Sequence, residues 1–165
     1  KKILRFEFAG GLPENFQKLA DEMGLSEVIH GVGHLPHEEI LKVMKSANLL
    51  LAINYEGWAT LIPGKIYEYW AVGGPPILLL SCPGAAVNFV EEHNLGYSVD
   101  PYDVEGIRRA ILDVYQQWRS GMSMKIDTDG IEVFDREALT VNLAQVLSTV
   151  IADGRKQTGS VLAHT

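Results

Sequence analysis

The sequence predicts a doubly wound α/β fold, a mostly parallel sheet flanked by helices. Strand-like and helix-like segments alternate along the chain, the pattern of βαβ units. "ANLLLAIN" (Ala47 to Asn54) and "PILLL" (Pro76 to Leu80) are apolar without polar alternation. Strands buried on both faces read this way and belong to parallel sheets covered by helices. The loops that follow the first three strand-like runs carry glycine and lead into helical patterns.

Taken in order, "ILRFEFAGG" (Ile3 to Gly11) predicts a strand that stops at a glycine turn. Phe16, Leu19, Ala20 and Met23 fall at i, i+3, i+4 and i+7, one helix face, and Gly24 suits the position after its end. "EVIHGV" predicts a second strand. Pro36 then opens a helix with Ile40, Val43, Met44 and Ala47 on one face. After "ANLLLAIN" a helix is expected from Gly64 to Val72, ended by Gly73-Gly74-Pro75-Pro76. Ile66 and Trp70, four apart, should pack on the sheet. "PILLL" is followed by a short helix, "AAVNFVEEH", and a short strand, "GYSV". Asp103 can cap a helix striped by Ile107, Ile111, Val114 and Trp118. Gly121 to Glu132 reads as a polar linker. Asp135 then caps a last helix, with Phe134 and Leu139 spaced as a hydrophobic staple and Leu139, Leu143, Val146 and Val150 as its buried face. Residues 1–152 are expected to form one domain, and 153–165, which lack periodicity, a flexible tail.

The totals narrow the function. With 165 residues there is room for one domain with a full core. Hydrophobic residues make up 47% and charged residues 21%, a globular composition. A net charge of −7 offers no broad basic surface to nucleic acid or anionic lipid, so any phosphate must be held locally. Cys82 is the single cysteine, which excludes an internal disulfide and suits a reducing, cytoplasmic setting. No apolar run approaches the ~20 residues of a membrane span, and no signal-peptide layout opens the chain. Because strand-like sequence begins almost at once, the chain is expected to be part of a longer polypeptide.

In a doubly wound sheet, ligands collect where strands end and helices begin. "NYEGWATLIPGK" is long for such a connection, commonly ~2–6 residues, and it delivers Lys65 to a helix start. A helix N-terminus carries about half a positive charge, so a lysine there is mildly unfavourable unless an anion sits beside both. The helix end and Lys65 together can hold a diphosphate, and Glu68, three residues on, can accept from the paired hydroxyls of a ribose. The same two residues also make an ordinary exposed i, i+3 ion pair, and spacing alone does not separate these readings. Other motifs fail. "IPGKI" is not a P-loop, since Ala59 and Ile66 stand where glycine and serine or threonine belong. "GVGHLP" has Pro36 in place of the third glycine of a dinucleotide fingerprint, which counts against half of an oxidoreductase. His30, His34 and His37 have neither cysteine nor regular spacing for zinc, and no metal is expected. Cys82 has no neighbouring base in sequence and reads as an inert thiol.

The order of pieces resembles the C-terminal, donor-binding half of GT-B glycosyltransferases, especially the large retaining group often called family four. The matching segments are "FEFAGG", "VIHGVGHLPHEEILKVMKSANLLLAI", "IPGKIYEYWAVGGPPILLL", "NLGYSVDPYDVEGIRRAI" and "FDREALTVNLAQVL". "PGKIYEYWAVGGPPIL" is the most specific of them. The resemblance implies a Rossmann-like domain that holds a nucleoside-diphosphate sugar without a metal or cofactor, while an N-terminal domain of the same polypeptide binds the acceptor. It also implies that Glu68 holds the ribose, that Gly64 and Lys65 face the diphosphate, and that Gly31, Gly33 and His34 lie against the base through backbone. Relatives of this kind often carry two glutamates eight apart, the first on the transferred sugar. Here the upstream candidate is Glu56, twelve before Glu68, and no catalytic residue is assigned. A basic pair that relatives carry ahead of the matching region has no counterpart in this chain, which by itself is expected to be inactive. The intact enzyme is expected in the cytoplasm, with peripheral membrane association open to it. The alternative is a non-catalytic α/β module using the same cleft for another ligand or a protein.

Overall fold

A computed structural model describes residues 4–122 and 124–162, with side chains described up to residue 152. Among the described residues five parallel strands alternate with six helices, the α/β architecture expected. β1 (Phe6–Ala9) pairs with β2 (Ile29–Gly33), and β3 (Leu50–Ile53), β4 (Ile77–Leu80) and β5 (Gly96–Val99) form a second sheet in that order. The register aligns Phe6 with Ile29, Leu50 with Ile77, and Ile77 with Gly96. The strands thus fall into a two-stranded and a three-stranded sheet rather than one continuous sheet.

Between the strands lie α1 (Glu14–Glu22), α2 (His37–Ser46), α3 (Gly64–Val72) and α4 (Ala85–Glu92). α5 (Val104–Arg119) follows β5, and a short 3-10 turn (Ile131–Phe134) leads into α6 (Arg136–Leu162). Proline marks the starts of α2 and α3, whose N-cap residues are Pro36 and Pro63. Asp103 caps α5 through its side chain, which accepts from Gly106 N at 2.9 Å. Asp135 opens α6 in the same way, its carboxylate accepting from Glu137 N at 2.9 Å.

The core gathers around β4, the central strand of the larger sheet, where Ile77, Leu78 and Leu79 are buried. Ile66 and Trp70 of α3 pack into it as expected, with Ala86, Phe89 and Val90 of α4, and Leu95. The segment read as a polar linker contributes too. Ile126 is buried and forms a backbone bridge with Gly74, and Trp70 Nε1 donates to Asp127 O at 2.8 Å. Residue 123 lies outside the described residues.

Three helix faces differ from expectation. On α1 Ala20 is buried, but Phe16 and Leu19 are exposed, as is Met23 just past its end, because the two-stranded sheet is too small to cover the face. On α5 Val114 is buried while Trp118 is exposed. Sixteen residues of helix span ~24 Å and four residues of strand ~13 Å, so the last turn of α5 overhangs the sheet. On α6 the stripe of Leu139, Leu143, Val146 and Val150 is 49% to 63% exposed, not buried. Its principal neighbour is the 3-10 turn, which covers only its start. The backbone of α6 also continues through residues 153–162, where a tail was expected. A glycine inside a helix costs only about 1 kcal/mol, so Gly154 is a weak stop. Residues 163–165 of that segment, and the side chains of 153–162, lie outside the described residues.

At the open side of β5 the Tyr97 hydroxyl donates to Asp113 Oδ2 at 2.7 Å, and Gln117 Nε2 donates to the same carboxylate at 3.0 Å. Burial and the Asp113 carboxylate push the Tyr97 phenol up from 10.0 to about 12. The protonated phenol is the form that folding favours. Its contribution to stability is therefore complete below pH 10 and lost as the pH rises through 12. Tyr97→Phe is expected to flatten the decline in urea stability over that window and to remove one step near pH 12 from the tyrosinate absorbance titration.

Candidate functional site

A ten-residue loop joins β3 to α3, and Asn54 at the end of β3 reaches Leu61 O, close to the helix start, at 3.5 Å. Pro63 (φ −58°) sets the entry of α3 and no side chain caps it, so the outward first-turn N–H groups are available to an anion. Ile66 and Trp70 fix the inner face in the core, and the Tyr69 hydroxyl donates to Leu51 O of β3 at 3.2 Å. Burial raises the Tyr69 phenol pKa above its ordinary 10.0. Gly64, Lys65 and Glu68 are left on the outer face. Lys65 Nζ lies 2.7 Å from Glu68 Oε2, and both side chains are about half exposed. Sequence spacing thus placed both groups together correctly. Such an exposed pair adds about 0.3 kcal/mol or less to stability, so both ends can exchange partners at small cost.

The loop from Asn54 to Pro63 is held more firmly than its exposure suggests. Asn54, at the end of β3, is 6% exposed. Its Nδ2 lies 3.4 Å from Trp58 O, 3.5 Å from Leu61 O and 3.4 Å from Ser81 Oγ. Farther along, Ala85 N donates to Ala59 O at 2.7 Å, tying the loop to the start of α4. A Cβ on Gly84 would stand 2.4 Å from that same carbonyl oxygen, so only glycine allows the approach. Sequence reasoning missed Asn54, Ser81 and Gly84 as loop-setting residues. A polar residue ending an apolar strand, Asn54 after "LLLAI", was the available signal.

The other sequence-predicted residues sit at the end of the smaller sheet. Gly31 and Gly33 belong to β2, and the exposed His34 follows it. Gly33 has φ 72°, a left-handed conformation that suits glycine. A Cβ on Gly31 would meet Leu12 Cβ at 3.2 Å, a tight approach between the loop after β1 and strand β2. α2 packs against α3 and so connects the two halves. Glu56 is exposed in the turn at Gly57 (φ 87°). One depression of the surface is lined by residues of α6 and the 3-10 turn, including Glu132 and Asn142, and another by β5 and α5, including Asp100 and Arg109. Neither includes Lys65 or Glu68. Among the described residues no three His, Cys, Asp or Glu side chains gather as metal ligands. Likewise, no helix among them is long and apolar enough to cross a membrane.

No curated protein matches the sequence significantly. Among solved structures, the chain is similar to the crystal structure of AviGT4, a glycosyltransferase involved in avilamycin A biosynthesis. The TM-score is 0.39 with 16% identity, over 75% of this chain and 45% of that one. The chain therefore spans less than half the length of that protein. The sequence profile described as "Glycosyl transferases group 1" matches residues 2–130, a span that includes β1 to α5, the Asn54–Pro63 loop and the first turn of α3. On that match, which covers most of its length, the chain belongs to the group 1 glycosyltransferases.

Proposed function

We propose that this chain is the donor-binding domain of a retaining glycosyltransferase and holds a nucleoside-diphosphate sugar for transfer to an acceptor. The acceptor is held by an N-terminal domain of the same cytoplasmic polypeptide. The observation that carries the reading is the Lys65–Glu68 pair on the uncapped first turn of α3, after the loop from β3. Lys65 and the N–H groups of Gly64 and Lys65 take the diphosphate, and Glu68 accepts from the ribose hydroxyls. Gly31, Gly33 and His34 border the base, which approaches through backbone.

During transfer the bond from the anomeric carbon to the diphosphate oxygen breaks. A bond to the acceptor hydroxyl forms on the same face, and the hydroxyl proton leaves with the departing diphosphate. Negative charge grows on that diphosphate as the bond lengthens. Lys65 and the α3 N-terminus stabilise it where it develops, so the reading requires no metal or cofactor. The non-catalytic alternative draws on the twelve-residue spacing from Glu56 to Glu68, which leaves the usual sugar-contacting glutamate without a clear equivalent.

Calorimetry with UDP, GDP and ADP, against NAD, tests the reading. One nucleoside diphosphate should bind and NAD should not. Glu68→Ala is expected to weaken that binding roughly tenfold or more, the worth of a charge-assisted hydrogen bond, with little change in melting temperature. Lys65→Ala should weaken diphosphate binding more than nucleoside binding. Undiminished binding by Glu68→Ala would remove its ribose role, and equal losses for Lys65→Ala would return Lys65 to a purely helical role.

A further inference from the structure

Among the described residues nothing covers one apolar side of α6. Leu139, Leu143, Val146, Leu147, Val150 and Ile151 fall within about 140° of one another around the helix, and each is 49% to 63% exposed. The other side of its first turns faces the 3-10 turn, where Ala138, Val141 and Asn142 line a depression with Glu132 and Asp135. Every residue from 139 to 152 is exposed. Propensity does not account for such a helix. Thr140, Val141, Val146, Thr149, Val150 and Ile151 are β-branched, which weakens a helix, and most helical stability comes from packing an apolar face. No charge interrupts the run from Ala138 to Ala152, so the side opposite the stripe lacks the lysines and arginines that lay a helix on a lipid surface.

We infer that this side is the interface of a homodimer, in which α6 of a second copy packs antiparallel against it. The spacing names the occupant. From Leu139 the seam runs four, three and four residues to Leu143, Val146 and Val150, a two-heptad pattern. That order reads the same when reversed. Two antiparallel copies therefore set Leu139 against Val150 and Leu143 against Val146, with Leu147 and Ile151 flanking these leucine–valine layers. A two-fold axis requires such a self-complementary surface, whereas a surface meant for a different segment has no reason to be its own complement. Arg136 and Asp153 stand three residues beyond the two ends of the seam. The antiparallel register thus brings arginine opposite aspartate twice, and a parallel one would bring like charges together. Four layers bury on the order of 1,000 Å², the low end of specific interfaces, so the dimer forms at micromolar rather than nanomolar concentrations. The inference does not rest on the donor-site reading.

Sedimentation equilibrium of the chain from about 1 μM to 1 mM tests this. The mass should rise from 18.2 kDa toward twice that value as concentration increases. Leu143→Glu places a charge in both central layers and should hold the chain monomeric throughout. Because Leu143 is exposed within one copy, the near-UV signal of the core should stay that of the parent. Arg136→Glu should weaken association roughly threefold to tenfold, and adding Asp153→Arg should restore the parent's affinity. With Cys82→Ser removing the native thiol, Leu139→Cys should crosslink to Val150→Cys on mild oxidation and not to itself. A chain that stays monomeric at the top of the range, dimers that survive Leu143→Glu, or Leu139→Cys joining to itself would overturn the inference. Protection of the α6 amides from exchange in the monomer would do the same and give the stripe to another segment of the polypeptide. Sedimentation with anionic vesicles in place of self-association would give it to lipid and overturn the dimer as well.

Discussion

Gly96→Ala is expected to destabilise the protein by at least about 3 kcal/mol. Gly96 opens β5 with φ 144°, a conformation that side-chain-bearing residues rarely adopt. An added Cβ would stand 2.1 Å from Ile77 O and 2.6 Å from Ile77 N. Those atoms belong to the central strand, and Ile77 N is already engaged with Leu95 O at 2.8 Å. β4 has a strand on each side and a buried side chain at Ile77, so it cannot retreat. Relief must come from β5 leaving its register, which exposes Leu95 and loosens α5. Urea unfolding checks this. The midpoint should fall sharply with the slope unchanged, and a midpoint close to that of the parent would show that β5 can shift cheaply.

The strand beginning at Gly96 was legible in the sequence, but the reason for the glycine was not. "GYSV" reads as a strand from its residue types, whereas the clash depends on Ile77, which is paired with it across the sheet. The same division recurs elsewhere. The limits of α3, Gly64–Val72, follow from Pro63 and the Gly73-Gly74 pair, which act locally. The closeness of Lys65 and Glu68 also follows from local helical spacing. Side-chain burial does not, because a helix face is covered only where another element lies against it. Apolar residues at helical spacing therefore end up buried on α3, at Ile66 and Trp70, and exposed along α6. The hold on the Asn54–Pro63 loop escaped notice for a related reason. Its partners, Ser81 and Ala85, stand 27 and 26 positions from Asn54 and Ala59 and meet them only once β3 and β4 pair.

Trp70→Ala is expected to cost about 3–5 kcal/mol, the usual range for emptying a large aromatic site. Trp70 packs against Phe89, His93 and Phe134 at centroid separations of 5.7, 4.5 and 5.9 Å. Its Nε1 also holds Asp127 O, so α3 is joined through one side chain to α4 and to the segment before the 3-10 turn. Trp70→Phe separates the two contributions. It keeps most of the ring contact but leaves the Asp127 carbonyl without its donor, an expected loss of about 1–3 kcal/mol. Both variants should accelerate amide exchange in residues 64–72 beyond what the global loss of stability explains, because Trp70 fixes the inner face of α3. If Trp70→Phe loses as much as Trp70→Ala, the hydrogen bond to Asp127 rather than packing secures the helix. That result would place the control of the Lys65–Glu68 turn in the segment around Ile126, which bridges Gly74 just past the end of α3.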